Sequence, residues 1–211
     1  MAAGFETGQC GGMKRLRIAL WGLAAVCAAF LGYMTFQISG AKQQLVESAF
    51  GAPFQLVDQH GKAISEQAMR GKPSAVFFGF THCPEVCPTT LFELDGWLKK
   101  VDPKGDKLNA FFVTVDPERD TPDIMNRYVS NVSDRITGIA GAPDKVMEMV
   151  KSFRVYAKKV PVDDKNPNGD YTMDHTASVF LLDSAGRFKG TIAYGENPDV
   201  AVKKLENLAK G

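Results

Sequence analysis

An apolar run, Ser74-Ala-Val-Phe-Phe-Gly-Phe80, leads straight into Thr-His-Cys83-Pro-Glu-Val-Cys87-Pro88. A strand that is apolar at every position, rather than at every second one, has to be covered on both faces. The run therefore predicts a central strand with other elements packed on either side. Pro88 can open a helix to about Lys100, with Leu91, Leu94 and Leu98 on one face. Strand, cysteine loop and helix in that order put both sulfurs near a helix N-terminus. There the unpaired backbone N–H groups favour the thiolate.

The flanking sequence fits the same layered arrangement. Phe54 to Lys62 reads as a strand running into a turn at Gly61, and Leu108 to Val115 as the next buried strand. Asp120-Thr-Pro122 predicts an N-cap and a first-turn proline, opening a helix to about Val129. Pro143 begins another helix with Val146, Met149 and Val150 inward, and residues 161–170 are polar turn material. Ser178–Leu182 and Phe188–Ile192 read as a hairpin, and Asn197-Pro198 caps a closing helix with Val202, Leu205 and Leu208 inward. Strands alternating with helices, then a hairpin and a helix, predict an α/β sandwich.

Upstream, Ile18 to Ile38 is 21 residues without a formal charge. At about 1.5 Å of rise per residue a helix of this length matches a hydrocarbon core about 30 Å thick. Lys14, Arg15 and Arg17 precede it and only Lys42 follows closely, which places the short N-terminus in the cytoplasm. A cleaved signal peptide would have an apolar core of only about 7–15 residues, so an uncleaved anchor is expected. The expected divisions are 1–17 cytoplasmic N-terminus, 18–38 transmembrane anchor in the lipid bilayer, 39–50 linker and 51–211 folded domain. With 25 Lys and Arg against 24 Asp and Glu, no strong field attracts nucleic acid.

Four cysteines exclude a disulfide-rich scaffold, and only Cys83 and Cys87 are close together within the folded region. As a plain staple the pair would close too short a loop to add much stability. Three residues separate the sulfurs, where the thioredoxin-type redox motif has two, so bridging and pinching an ion are both open. A structural zinc site wants four ligands, which are hard to assemble here. Soft thiolates at low coordination number suit Cu(I). Of the histidines, His60 lies in a turn, and His82 neighbours the pair but points away from it in an extended loop. His175 precedes a strand after the polar loop; alone, such a histidine is more often structural than ligating. Met125, Met147 and Met149 read as core filler, with Met173 set apart by its neighbours.

The segments GFTHCPEVCPTTL, VTVDPERDTP and MDHTASVFLLD, in this order and spacing, closely resemble the Sco/SenC family of copper chaperones. The resemblance covers nearly the whole domain after the anchor. It implies a thioredoxin-like fold with additional strands or a hairpin, preceded by one transmembrane helix. It further implies a copper site, Cu(I) or Cu(II), made of Cys83, Cys87 and His175, and delivery to the CuA centre in subunit II of cytochrome c oxidase. Such a protein is a metallochaperone and not an enzyme. The alternative is a tethered thiol–disulfide oxidoreductase working through a Cys83–Cys87 disulfide. No proline occurs between Tyr171 and Gly186, where thioredoxin-like oxidoreductases carry one facing their cysteines, and this weakens that alternative. Asp116, Asp174 and His82 are the candidates for orienting the ligands. The expected setting is a bacterial inner membrane with the domain in the periplasm, preferred to the mitochondrial inner membrane for want of an Arg/Ser-rich transit segment.

Overall fold

The computed structural model describes residues 17, 18, 20–34, 51–163, 165, 166 and 169–210. The chain divides into two units, residues 1–47 and 48–211. In the first, residues 20–34 are helical and their large apolar side chains, Trp21, Leu23 and Phe30 among them, are exposed. Among the described residues no helix is long and apolar enough to cross a membrane. Positions 19 and 35–38 of the expected 18–38 span lie outside the described residues, as do residues 1–16 and the 39–50 linker.

In the second unit, the unbroken apolar strand β3 (Ser74–Gly79) is buried at every position, as its sequence requires. It pairs in parallel with β4 (Asn109–Thr114) and antiparallel with β8 (Ser178–Leu182), which pairs antiparallel with β9 (Phe188–Ala193). Beyond β4 come β5 (Ile136–Ala140), parallel to it, then β1 (Gln55–Asp58) and β2 (Ala63–Ser65), both antiparallel to their neighbours. The helices are α1 (Val86–Val101), α2 (Pro122–Ser130), α3 (Pro143–Ser152) and α4 (Pro198–Ala209). β3-α1-β4, then β8-β9-α4, is the thioredoxin-like core that the resemblance implies. Phe77, Phe78, Phe112 and Phe153 are fully buried around the central strands, each contributing about 1.5–3 kcal/mol by leaving water.

Three features depart from expectation. β5 was not predicted, because a five-residue apolar stretch without flanking periodicity is ambiguous. The cap of α2 is Thr121, whose hydroxyl accepts the Ile124 N–H at 3.4 Å, and not Asp120. A second hairpin, β6 (Ala157–Pro161) with β7 (Tyr171–His175), stands as a separate two-stranded sheet, so His175 ends a strand of its own.

At the far end of the sheet, buried Asp102 closes α1. Its carboxylate accepts backbone N–H bonds from Gly105, Asp106, Lys107 and Leu108 at 3.0–3.2 Å, and Arg135 Nη2 lies 3.0 Å away. Burial opposes ionisation, but these N–H groups and the guanidinium outweigh it and hold the carboxyl below its usual range. A carboxyl depressed in the folded state stabilises above the unfolded value of about 3.9 and loses that contribution as pH falls through its folded pKa. Asp102→Ala should therefore destabilise by about 2–3 kcal/mol at neutral pH, through the Asp106, Lys107 and Leu108 N–H groups left without a partner, Gly105 keeping its bond to the residue-102 carbonyl. Urea melts at pH 7 and pH 3 check this: the gap to wild type narrows in acid.

Candidate metal centre

Because α1 begins at Val86, Cys87 falls in its first turn and is fully buried behind the end of β3. Gly79 makes room: a Cβ built there would stand 2.7 Å from Cys87 Sγ and 2.9 Å from Phe112 Cε2. Cys83 is half-buried on the loop before the helix, and the Cys87 N–H donates to its sulfur at 3.3 Å. The two thiols are free and electrostatically unlike. A hydrogen bond from the Cys87 thiol lowers the pKa of Cys83 to about 4 against the opposing effect of burial, helped by the Cys87 and Glu85 N–H groups. Cys87 is driven strongly upward by that same shared proton and by burial.

His175 arrives from the hairpin, opposite Ala157. Its Nε2 lies 3.5 Å from Cys87 Sγ and its Nδ1 lies 3.1 Å from the Thr176 carbonyl oxygen. A carbonyl only accepts, so Nδ1 carries the proton and the Nε2 lone pair faces the sulfurs. Phe77 and Phe80 wall the imidazole with ring edges at centroid distances of 6.2 and 5.8 Å. One donor atom from each of Cys83, Cys87 and His175 lies within 4.8 Å of the others. Two soft sulfurs and one imidazole, partly closed off from solvent, fit a low-coordinate Cu(I) better than a four-coordinate zinc.

The other residues singled out from the sequence lie elsewhere. His82 is exposed, with Nδ1 3.2 Å from Thr81 Oγ1 and 3.9 Å from Asp120 Oδ1. Asp174 is exposed, and the Thr176 carbonyl takes the partner role at Nδ1 expected of it. Asp120 is buried beneath the cysteine loop, accepting from the Thr81 N–H at 3.1 Å and from the Thr81 and Thr114 hydroxyls at 2.6 Å each. Burial pushes its pKa up against those hydrogen bonds. It anchors the loop that carries Cys83.

Asp116 acts on the ligands at one remove. Its carboxylate accepts from the Tyr171 hydroxyl at 2.8 Å and pairs with Arg119 Nε. Arg119 stacks 3.8 Å over the Tyr171 ring and donates from Nη1 to the Tyr171 carbonyl at 2.9 Å. The turn after β4 thereby staples the base of β7, at whose other end stands His175. Arg119→Ala should loosen that strand and lower Cu(I) affinity about 10–100-fold with all three donors intact. Tyr171→Phe, which keeps the ring under the guanidinium, should lose less. Cu(I) titration checks both, with a thermal melt to show that the fold survives.

Gly79, Thr81, Arg119 and Tyr171 are given no role at the site by the sequence. The alternation Tyr171-Thr-Met-Asp-His175, with inward positions at every second residue, was the available signal for β7. For Gly79 there was none, since a glycine in an apolar strand does not reveal what approaches it.

The SCO1/SenC family model matches residues 42–210 of this chain. Among curated proteins, Protein SCO2, mitochondrial, of Saccharomyces cerevisiae is 40% identical over 158 residues, 74% of this chain and 52% of the relative. The chain spans about half the length of the yeast and Arabidopsis relatives it matches. The solved structure of Bradyrhizobium japonicum ScoI with copper bound is 46% identical with a TM-score of 0.68, covering 75% of this chain and 99% of that one. Yeast Sco1 with copper bound is 34% identical with a TM-score of 0.69, covering 77% and 89%.

Proposed function

The chain belongs to the SCO1/SenC family, and on that premise we propose that it carries copper as cargo and delivers it during the assembly of cytochrome c oxidase. The recipient in this reading is the CuA centre of subunit II, and the ligands are Cys83, Cys87 and His175. The observation that carries the proposal is the convergence of two sulfurs and one imidazole within 4.8 Å. Copper-bound relatives of 46% and 34% identity support the choice of ion.

Cys83 supplies a thiolate without prior deprotonation at neutral pH, Cys87 releases its proton when the ion enters, and His175 offers Nε2 as the nitrogen donor. With three protein donors and an open side, the site suits ligand-by-ligand exchange with a recipient. The protein turns over no substrate in this role and is a carrier, not an enzyme. The apolar run 18–38 supports a single-pass tether in a bacterial inner membrane, with domain 51–211 on the periplasmic side. Titration of the reduced chain with Cu(I) should end at one ion per chain, and oxidation to the Cys83–Cys87 disulfide should abolish uptake. Uptake unchanged by oxidation would exclude the two sulfurs as ligands.

One observation favours a second reading. An acidic, half-exposed Cys83 beside a buried, protonated Cys87 is the asymmetry of a thiol–disulfide reductant. Cys83 would attack a partner's disulfide and release one of its thiolates. Cys87 would then resolve the mixed disulfide, two electrons passing to the partner. His175 has no ligand role there. Full oxidase assembly in cells carrying His175→Ala, with none in Cys83→Ser cells, decides for thiol exchange.

A further inference from the structure

The centre opens onto a cleft of about 240 Å³ whose walls include Phe80, Cys83, Pro84, Met173 and His175. Cys87 is not among the lining residues and is 0% exposed. Cys83, His175 and Met173 thus line the opening, together with Thr172 and Asp174, while Cys87 lies deeper. Met173 stands there for a geometric reason. It is two residues before His175 on β7, so both side chains leave the same face of the strand, their Cα atoms about 6.6 Å apart. Thr172 and Asp174, on the opposite face, are exposed, whereas Met173 is 8% exposed.

We propose that Met173 is a transfer ligand: its thioether takes the coordination position that Cys87 vacates as Cu(I) moves from the buried pair to the cleft. The inference rests on the copper-carrier reading and deepens it. An ion leaving for solvent must part first from the donor farthest from the opening, which is Cys87. Without a replacement it would be left on Cys83 and His175 alone. A thioether is soft, neutral and never protonated, so it binds Cu(I) without competition from protons and lets go more readily than a thiolate. Its three rotatable bonds let the sulfur follow the ion over the required distance while the strand stays in place. Reprotonation of Cys87 by solvent completes the exchange, and no electron is moved. The outward set is therefore Cys83 Sγ, His175 Nε2 and Met173 Sδ.

Cys87→Ala traps that outward set. The full-length variant, reduced, labelled with selenomethionine and loaded with Cu(I), should show copper–selenium scattering in its X-ray absorption spectrum. The signal should vanish when Met173→Leu is added. Copper bound without selenium overturns the proposal, and so does failure of Cys87→Ala and of Cys87→Ser to retain any Cu(I) while wild type is loaded. Wild type that takes up no copper would instead defeat the carrier reading beneath it, so the two failures are distinguishable. A second measurement needs no cysteine variant: release of Cu(I) from Met173→Leu to a bicinchoninate chelator should be about tenfold slower than from wild type. An equal or faster rate counts against the proposal.

Discussion

Replacing His175 with alanine is expected to weaken copper binding by about 3–4 kcal/mol, on the order of 100–1,000-fold, if a ligand's share of a metal site is taken from four-ligand zinc domains. The imidazole is the only nitrogen donor of the group, and its loss leaves a two-sulfur site that retains some Cu(I) and little Cu(II). Cys83→Ser should be worse, because it removes the thiolate already formed. Its pKa of about 4 also sets a pH dependence. A depressed thiol pKa means that the deprotonated form persists down to that pH, so competition by protons at Cys83 begins only as pH falls towards 4. Competition titrations with a Cu(I) chelator at pH 7.5, 6 and 5 check both points. Equal affinities for wild type and His175→Ala would remove the imidazole from the site.

The second large effect is expected at a residue with no side chain. In Gly79→Ala the new methyl would meet Cys87 Sγ at 2.7 Å, Phe112 Cε2 at 2.9 Å and Phe77 Cε1 at 3.2 Å. These neighbours are fully buried and close-packed, so little relaxation is available. Overpacking of this kind costs about 1–3 kcal/mol, a fall of roughly 5 °C in Tm for a domain of this size. The sulfur is the smallest obstacle and should yield first, moving from its place 3.5 Å from His175 Nε2. Copper affinity should therefore fall beyond what the lost stability explains. Gly96→Ala is the control: it lies in α1 with nothing within 4 Å of its Cβ and should stabilise by about 0.5–1 kcal/mol through helix propensity. Thermal melts and Cu(I) titration of both variants separate packing from binding. Unaltered affinity in Gly79→Ala would show that the sulfur is not held by this contact.

Legibility in the sequence followed locality. β3, β4, β8 and the domain's four helices were readable because each carries its own pattern, an unbroken apolar run or a 3.6-residue stripe with proline or asparagine at its start, and β9 followed from the turn that joins it to β8. β5 and the β6–β7 hairpin were not. β6, Ala157-Lys-Lys-Val-Pro161, is mostly exposed and has no buried stripe to betray it. Asp120 was misread as a helix cap because a buried carboxylate and a cap share the same local sequence; only the contact with Thr81, 39 residues away, tells them apart.

The site divides along the same line. Strand, two cysteines and helix lie within one contiguous segment, so chemistry of the thiolate at a helix start was determined by sequence order alone. Bringing His175 beside Cys87 across 88 residues was not. That depends on β8 pairing with β3, on the hairpin that precedes it, and on the Arg119–Tyr171 staple at the hairpin's base. Periodicity records how each segment meets water and core, and it is blind to which distant segment lies opposite. Only packing in three dimensions decided that the third donor, and the methionine two residues before it, would line the same cleft as Cys83.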